Sequence, residues 1–282
     1  SLLDNFPGTA PELIERSVQD PDPLVRRAAA SLLIRWEPPR RWQVGGPLLS
    51  DPIRAVRLEA VNALADAAPA VTLNREQRTV FERAVTDYRE TQAFNADRAE
   101  AWLNVGALEV RLGDMARAEA DYRRAIGMQP AFIPPYVNLA DLYRGQGRDL
   151  DGERVLRQAP DGADVHHALG LLLVRQKRAA EAIGELAKAA EERPDSPRYA
   201  YVYAVALDSV GEHDKALARL AQAQQRFTAD RDILSALAQF SAQAGGREAA
   251  ARWVQKLRDL DTNGATPAAG AATPVPGGAR VP

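Results

Sequence analysis

The sequence contains no cysteine among its 282 residues. Disulfides, zinc fingers, thiol nucleophiles and covalent haem attachment are therefore excluded from this segment. It also lacks an apolar run of about 18 residues, the length that predicts a membrane-spanning helix. The chain begins at Ser1 without methionine or a signal peptide, and we expect a processed product or a piece of a longer protein.

Lysine is scarce as well, with 4 Lys against 32 Arg, which we interpret as an effect of genome composition. The formal net charge is -2 and the pI is near 6.0. Since such a chain need not carry a basic face that neutralises phosphates, we expect no nucleic-acid partner. Hydrophobic residues make up 46% of the chain and charged residues 26%, which is typical of a folded chain with a sizeable core.

The stretch from Ala99 to Phe132 predicts a helical hairpin. Large and small apolar residues share one face of each helix: Trp102, Val105 and Gly106 on the first, and Ala118, Tyr122 and Ala125 on the second. Gly113 lies in the turn between the helices, and Pro130 ends the second one. The small residues allow the two helices to approach closely, and the aromatic rings fill the space around them.

At these positions the stretch resembles the tetratricopeptide repeat, whose period is 34 residues. The pattern recurs at small residues spaced 34, 30, 34 and 34 apart: Gly106, Ala140, Gly170, Ala204 and Ala238. We therefore predict five such repeats over residues 99–263, the second with a shortened second helix and the last acting as a cap. The fold class is all-α, a right-handed α-solenoid.

A second period, of 31 residues, marks the start of the chain, which we assign as residues 1–70. Asp20-Pro21 recurs as Asp51-Pro52, and Val25-Arg26 recurs as Val56-Arg57. In each unit the aspartate is expected to cap a helix whose first turn holds the proline. These units resemble short HEAT-like helical repeats.

Residues 71–98 are predicted to form a connecting helix between the two solenoids. Asn74 and Gln77 resemble a capping box at the start of a helix that runs to about Ala93. At the other end of the chain, residues 264–282 are rich in Gly, Ala, Thr and Pro, and we predict a disordered tail.

No catalytic, metal or cofactor site emerges from the sequence, and we predict that the chain is not an enzyme. His166 and His167 are adjacent on a helix, so their rings point about 100° apart and do not chelate one ion as a pair. His166 also occupies the position of Trp102 in the first repeat, which predicts a packing role. His213 is predicted to lie in a solvated turn.

The resemblance to tetratricopeptide arrays implies a concave groove lined by the first helix of each hairpin. Eight polar residues on the exposed face of these helices are the candidate peptide-binding residues: Asn104, Arg111, Asn138, Asp141, Arg144, His167, Arg175 and Tyr201. The same faces also carry Asp164 and Arg198.

Asn104 and Asn138 hold the same place in consecutive repeats, and an amide offers both a donor and an acceptor to a peptide backbone. Such arrays hold peptides with asparagine ladders, but alanine and valine follow here at the equivalent places, which argues against a long extended ligand. The alternative is that both asparagines only bond between neighbouring helices. The basic carboxylate clamp of chaperone-binding members is not matched, because Leu103 and Ala107 replace its Lys and Asn.

These observations favour a non-catalytic scaffold that binds a protein or peptide partner in the groove. An alternative follows from a resemblance to the C-terminal part of exported bacterial multi-haem c-type cytochromes, with the haem sites upstream of this segment. A third possibility is a cytosolic adaptor. The compartment is left open, periplasmic under the cytochrome resemblance and cytoplasmic otherwise, as is the oligomeric state.

Overall fold

A computed structural model describes the backbone of residues 11–265 and the side chains of residues 11–260. This part of the chain contains fifteen α-helices and no β-strand. The helices are α1 (Pro11–Ser17), α2 (Pro23–Leu32), α3 (Pro38–Gly45), α4 (Arg54–Leu64), α5 (Arg75–Ala93), α6 (Ala99–Leu112), α7 (Met115–Met128), α8 (Pro134–Gly145), α9 (Asp149–Leu156), α10 (Ala163–Arg175), α11 (Ala179–Glu192), α12 (Pro197–Ser209), α13 (His213–Arg226), α14 (Arg231–Gln243) and α15 (Arg247–Ala265). None of these helices is long and apolar enough to cross a membrane.

The 31-residue spacing near the N-terminus recurs as one set of contacts. Arg26 binds the carboxylate of Asp51 at 2.7 Å, and Arg57, 31 residues later, binds that of Asp87 at 2.7 Å. Each guanidinium also donates to the backbone carbonyls five and six residues before it. The last carboxylate of this series lies on α5, so the pattern continues into the connecting helix.

The capping prediction for this region is wrong in its register. Asp20 and Asp51 each accept a hydrogen bond from the backbone N–H two residues later, at 2.8 Å. This is the turn geometry that aspartate favours, and it places both residues before the helix. In α2 the capping residue is Asp22, which accepts from Leu24.

Helix α5 begins and ends where the sequence predicts. Asn74 and Gln77 form a reciprocal capping box, and the helix ends at Ala93. The buried face of α5, which includes Phe81 and Tyr88, belongs to a hydrophobic core shared with α1 to α4 and with Leu108 of α6. The helix therefore packs the N-terminal helices against the hairpins that follow.

Helices α6 to α15 form five consecutive hairpins, and we number them first to fifth. Each hairpin turn contains one residue with positive φ: Gly113 (83°), Gly147 (73°), Lys177 (61°), Gly211 (86°) and Gly245 (79°). In the second hairpin α9 has eight residues, against fourteen in α7, α11 and α13, which confirms the predicted shortened helix.

Close packing within the hairpins explains the small residues of the repeat. A Cβ at Gly106 would lie 2.7 Å from the ring of Tyr122, and one at Gly170 would lie 2.6 Å from Leu186. Both distances are too short for a side chain, so each glycine allows its partner to pack. The last helix ends at Ala265, two residues into the predicted tail, and the rest of that tail lies outside the described residues.

Candidate functional site

A cleft of about 310 Å³ lies between α8, α10 and α12, and we call it the central cleft. Its polar lining comes from these three helices: Asn138, Asp141, Arg144, Asp164, His167 and Arg198. The remaining wall is mostly apolar and includes Val137, Leu171 and the ring of Tyr199.

His167 is buried in the wall of the central cleft, with 7% of its surface exposed. Neither ring nitrogen has a hydrogen-bond partner in the described protein. Burial, aided by the nearby cation of Arg198, lowers the pKa of His167 to about 4. The imidazole is therefore neutral at pH 7, with one nitrogen able to donate a hydrogen bond and the other able to accept one.

The His167 ring is positioned by its neighbour on α12. It stacks on Tyr199, with ring centroids 4.3 Å apart and an interplanar angle of 20°. The Tyr199 hydroxyl donates a hydrogen bond to Asp164, whose second oxygen lies 3.1 Å from Arg193. Burial and this hydrogen bond raise the pKa of Tyr199 to about 12, so the phenol stays neutral.

The cleft carries one cation that is not compensated locally. Arg144 donates two hydrogen bonds to Asp141 one helical turn earlier, at 3.1 and 2.8 Å. Asp164 is occupied by Arg193. Arg198 makes no ion pair within the part of the chain that the structure describes, so the cleft offers its positive charge to solvent or to a ligand.

The structure brings four of the eight predicted binding residues together in the central cleft: Asn138, Asp141, Arg144 and His167. Asn104 and Arg111 line a neighbouring cleft, together with Asn62 and Tyr88. Arg111 donates to Asn62 at 3.3 Å, so the second cleft joins the N-terminal helices to the first hairpin.

Both asparagines of the predicted ladder have a partner on the preceding helix. Asn104 donates to Gln92 of α5 at 3.3 Å. Asn138 bonds to the hydroxyl of Tyr122, a phenol whose pKa burial raises to about 12. These contacts correspond to the interhelical alternative, although both amides also line a cleft.

Arg175 and Tyr201 line neither of these clefts. Arg175 is at the end of α10, and its Nε donates to both carboxylate oxygens of Asp149 at 3.0 and 3.2 Å. Tyr201 holds the place of His167 one repeat later, but it packs against the apolar cluster of the fourth and fifth hairpins. The cleft instead uses Tyr199, which the sequence analysis did not select, because helix periodicity does not reveal which neighbour a face meets.

Two family models described as "Tetratricopeptide repeat" match the chain, over residues 76–131 and 151–206. The second match covers α10 and most of α12, which contribute His167 and Arg198 to the central cleft. The chain contains tetratricopeptide repeats. The first match also includes α5, so the connecting helix takes part in the repeat pattern.

Solved structures similar to this chain include tetratricopeptide-type folds. MamA covers 62% of this chain and 98% of its own length, with 19% identity and a TM-score of 0.51. MamA from Desulfovibrio magneticus RS-1 covers 60% of this chain and 97% of its own, with 16% identity and a TM-score of 0.51. These likenesses establish the fold alone. YrrB, described as a TPR protein with an unusual peptide-binding site, has 19% identity, coverages of 62% and 93%, and a TM-score of 0.47.

A comparison with curated protein sequences found no match. The family and structure matches support the tetratricopeptide part of the resemblance. They give no support to the HEAT-like description of the N-terminal helices or to the cytochrome resemblance.

The third tetratricopeptide hairpin also holds a histidine among carboxylates. His166 Nδ1 lies 2.6 Å from Glu185, and its Nε2 lies 3.0 Å from Asp161 and 3.4 Å from Glu192. His166 is buried, as the packing interpretation predicts, but its surroundings are acidic. Sequence reasoning missed these partners; the only signal was the seven-residue spacing of the two glutamates, which places them on one face of α11.

His213, the remaining histidine, is the first residue of α13 and is 59% exposed at its side chain. Its Nδ1 lies 2.7 Å from the carboxylate of Asp208. This agrees with the solvated position that the sequence predicts.

Proposed function

We propose that this protein is a non-catalytic scaffold that binds an extended segment of a partner protein in the central cleft. The observation that carries the proposal is His167, which is buried at the cleft and has two ring nitrogens without a protein partner. Tetratricopeptide folds are typically interaction scaffolds, which agrees with this reading.

The chemistry of His167 matches a peptide backbone. Buried polar groups in folded proteins nearly always have a hydrogen-bond partner, and an unpaired one costs about 1–3 kcal/mol. A backbone amide presents an N–H and a C=O, which suit the accepting and the donating nitrogen of a neutral imidazole. The stacked ring of Tyr199 holds the imidazole in place, so little side-chain entropy is lost on binding.

The charge of the cleft narrows the class of partner. Arg198 is the cation without an ion pair in the described cleft, whereas Arg144 is held by Asp141. A guanidinium binds a carboxylate through paired hydrogen bonds. The partner segment is therefore one that brings an acidic side chain, or a C-terminal carboxylate, to Arg198.

The test begins with a random peptide library displayed on phage and selected on the immobilised chain. Enriched peptides are synthesised with a fluorescent label, and their affinity is measured by fluorescence anisotropy. We expect His167→Phe and Arg198→Ala each to weaken binding at least about tenfold, which is about 1.4 kcal/mol. The matched control is Arg117→Ala, an arginine on α7 with 65% of its side chain exposed and outside the cleft.

Equal binding of the selected peptides to wild type and to both cleft variants would overturn the proposal, as would a selection that enriches nothing. The Asn104→Ala, Asn138→Ala double variant separates the two roles of the ladder. Weaker peptide binding at unchanged Tm supports a binding role, whereas a lower Tm at unchanged affinity supports the interhelical role.

We also propose that residues 1–70 form a HEAT-like unit joined by residues 71–98 to five repeats over residues 99–263. The recurring guanidinium contacts of Arg26 and Arg57 support a true structural repeat at the N-terminus. The cleft that holds Asn104 and Arg111 lies where this unit meets the first hairpin, so the N-terminal helices extend the binding surface.

A further inference from the structure

The histidine-carboxylate group of the third hairpin stands at a position that the first two hairpins use for packing. There the aromatic side chain donates to a backbone carbonyl six residues earlier: Trp102 Nε1 to Ala96 at 2.9 Å, and Tyr136 to Pro130 at 3.1 Å. His166 replaces this aromatic residue, and side-chain carboxylates surround its ring. The third hairpin has therefore exchanged a structural contact for a group of ionisable side chains.

One of the carboxylates fixes the orientation of the ring. Glu185 Oε2 lies 2.6 Å from His166 Nδ1, and its other oxygen lies 3.2 Å from Lys188. A carboxylate at this distance holds the proton on Nδ1, which leaves the Nε2 lone pair free on the other side of the ring. This carboxylate–histidine arrangement is the usual support behind a metal-binding imidazole.

The free side of the ring faces two further oxygen donors. His166 Nε2 lies 3.0 Å from Asp161 Oδ1 and 3.4 Å from Glu192 Oε1, and the ligand atoms of the three residues lie within 4.8 Å of one another. Two ligands bound at 2.0–2.1 Å in tetrahedral geometry are about 3.4 Å apart. The two nitrogen–oxygen separations are therefore close to those of a metal site.

We propose that Asp161, His166 and Glu192 form a binding site for a divalent transition-metal ion of the Zn²⁺ class, with Glu185 as the residue that positions the imidazole. One imidazole and two carboxylates are a ligand set that suits Zn²⁺ and leaves a fourth position open. Three carboxylates face this group and Lys188 offsets only one, so a dication lowers the local repulsion.

The elements that carry the ligands suit such a site. Asp161 lies in the loop before α10, His166 lies within α10, and Glu192 is the last residue of α11. The histidine is buried, with 8% of its surface exposed, whereas the Asp161 side chain is 88% exposed. The loop carboxylate therefore gives an ion a path from solvent to a preformed nitrogen ligand.

The competing arrangement is an ion pair, in which a doubly protonated His166 donates from both nitrogens to its carboxylates. The experiment that separates the two uses the full chain without an affinity tag, stripped of metal by a chelator and then titrated with ZnCl2 by calorimetry. Co²⁺ in place of Zn²⁺ gives a visible d–d absorption when its coordination is tetrahedral. We expect one ion per chain at neutral pH.

The variants use substitutions that the fold already contains. His166→Tyr places at this position the residue found at Tyr136, so packing is preserved, and we expect it to abolish both the zinc heat and the cobalt absorption. Glu185→Gln keeps the ligands but weakens the support, and we expect a 10–100-fold loss of affinity. His213→Ala is the matched control, since His213 also meets a carboxylate, Asp208 at 2.7 Å, but stands alone.

A second readout is thermal stability, because an ion that binds only the folded state raises Tm. We expect 1 mM Zn²⁺ to raise the Tm of wild type and of His213→Ala but not that of His166→Tyr. The ion-pair arrangement is established, and the metal site overturned, if no stoichiometric zinc heat is measured or if binding survives in His166→Tyr. Neither result affects the central cleft, which these four residues do not line.

Discussion

Arg89 donates two hydrogen bonds to Glu109, from Nε at 2.8 Å and from Nη2 at 2.9 Å. The pair joins the connecting helix α5 to α6 of the first hairpin. Glu109 is 2% exposed, so its carboxylate has exchanged its hydration for one guanidinium. Breaking a buried pair by removing one partner is costly because the other charge is left uncompensated.

We therefore expect Arg89→Met to lower the free energy of unfolding by about 3–5 kcal/mol. Replacing both members, Arg89→Met with Glu109→Met, should recover most of the loss. Arg117→Ala, which breaks an exposed pair with Asp114, should cost less than about 1 kcal/mol. The measurement is equilibrium unfolding in urea, and a double variant no more stable than Arg89→Met would contradict the argument.

Lys177 holds the turn position that glycine holds in the other four hairpins, with φ of 61°. The left-handed conformation costs a side chain about 1–2 kcal/mol, of which glycine returns about 0.5–1 kcal/mol as lost unfolded-state entropy. We expect Lys177→Gly to stabilise the protein by about 0.5–1 kcal/mol, and its Tm to rise by about 2 °C. The reverse change, Gly211→Ala, should destabilise it; a fall in Tm for Lys177→Gly would refute the interpretation.

Gly106 packs against Tyr122 with no room for a Cβ, which would lie 2.7 Å from the ring. We expect Gly106→Ala to destabilise the first hairpin by about 1–3 kcal/mol, because the ring must leave its position. Gly184→Ala is the control: this helical glycine has no atom within 4 Å of an added Cβ, and alanine should stabilise α11 by about 1 kcal/mol. Thermal unfolding measures both, and opposite signs are expected.

The depressed pKa of His167 predicts a pH dependence of stability. Its folded pKa of about 4 lies below the ordinary value of 6.5. Between these values the unfolded chain takes up a proton that the folded chain does not, so stability falls as the pH is lowered from 6.5 towards 4.

From pH 7 to pH 4.5 this single group removes about 2 kcal/mol of stability. His167→Phe lacks the group, so the difference in unfolding free energy between wild type and variant should shift in favour of the variant by that amount at pH 4.5. Urea unfolding at the two pH values measures it. A difference that stays constant with pH would show that the imidazole is accessible to protons in the folded state.

The local parts of the fold could be predicted because their causes are local. The capping box of Asn74 and Gln77, the turn at Gly113 and the shortened α9 depend on residues a few positions apart. The predicted capping by Asp51 was wrong because the same carboxylate satisfies either a turn or a cap, and Arg26 holds it in the turn.

The central cleft could be predicted only in part. Helical periodicity placed Asn138, Asp141, Arg144 and His167 on one exposed face, and the structure brings them together. Tyr201 is equivalent to His167 by sequence, yet it packs into an apolar cluster. Periodicity identifies a face of a helix but does not identify the neighbour that covers it.

The sequence alone therefore determined the helical class, the period of the repeats and the places where helices turn, since these follow from backbone preferences and residue spacing. Tertiary structure decided which side chains meet across helices. Glu109 lies twenty residues from Arg89 and Glu185 lies nineteen from His166, and both pairs form only because stacked helices bring them together. Pairwise chemistry between repeats depends on how the hairpins stack, and no local pattern encodes that distance.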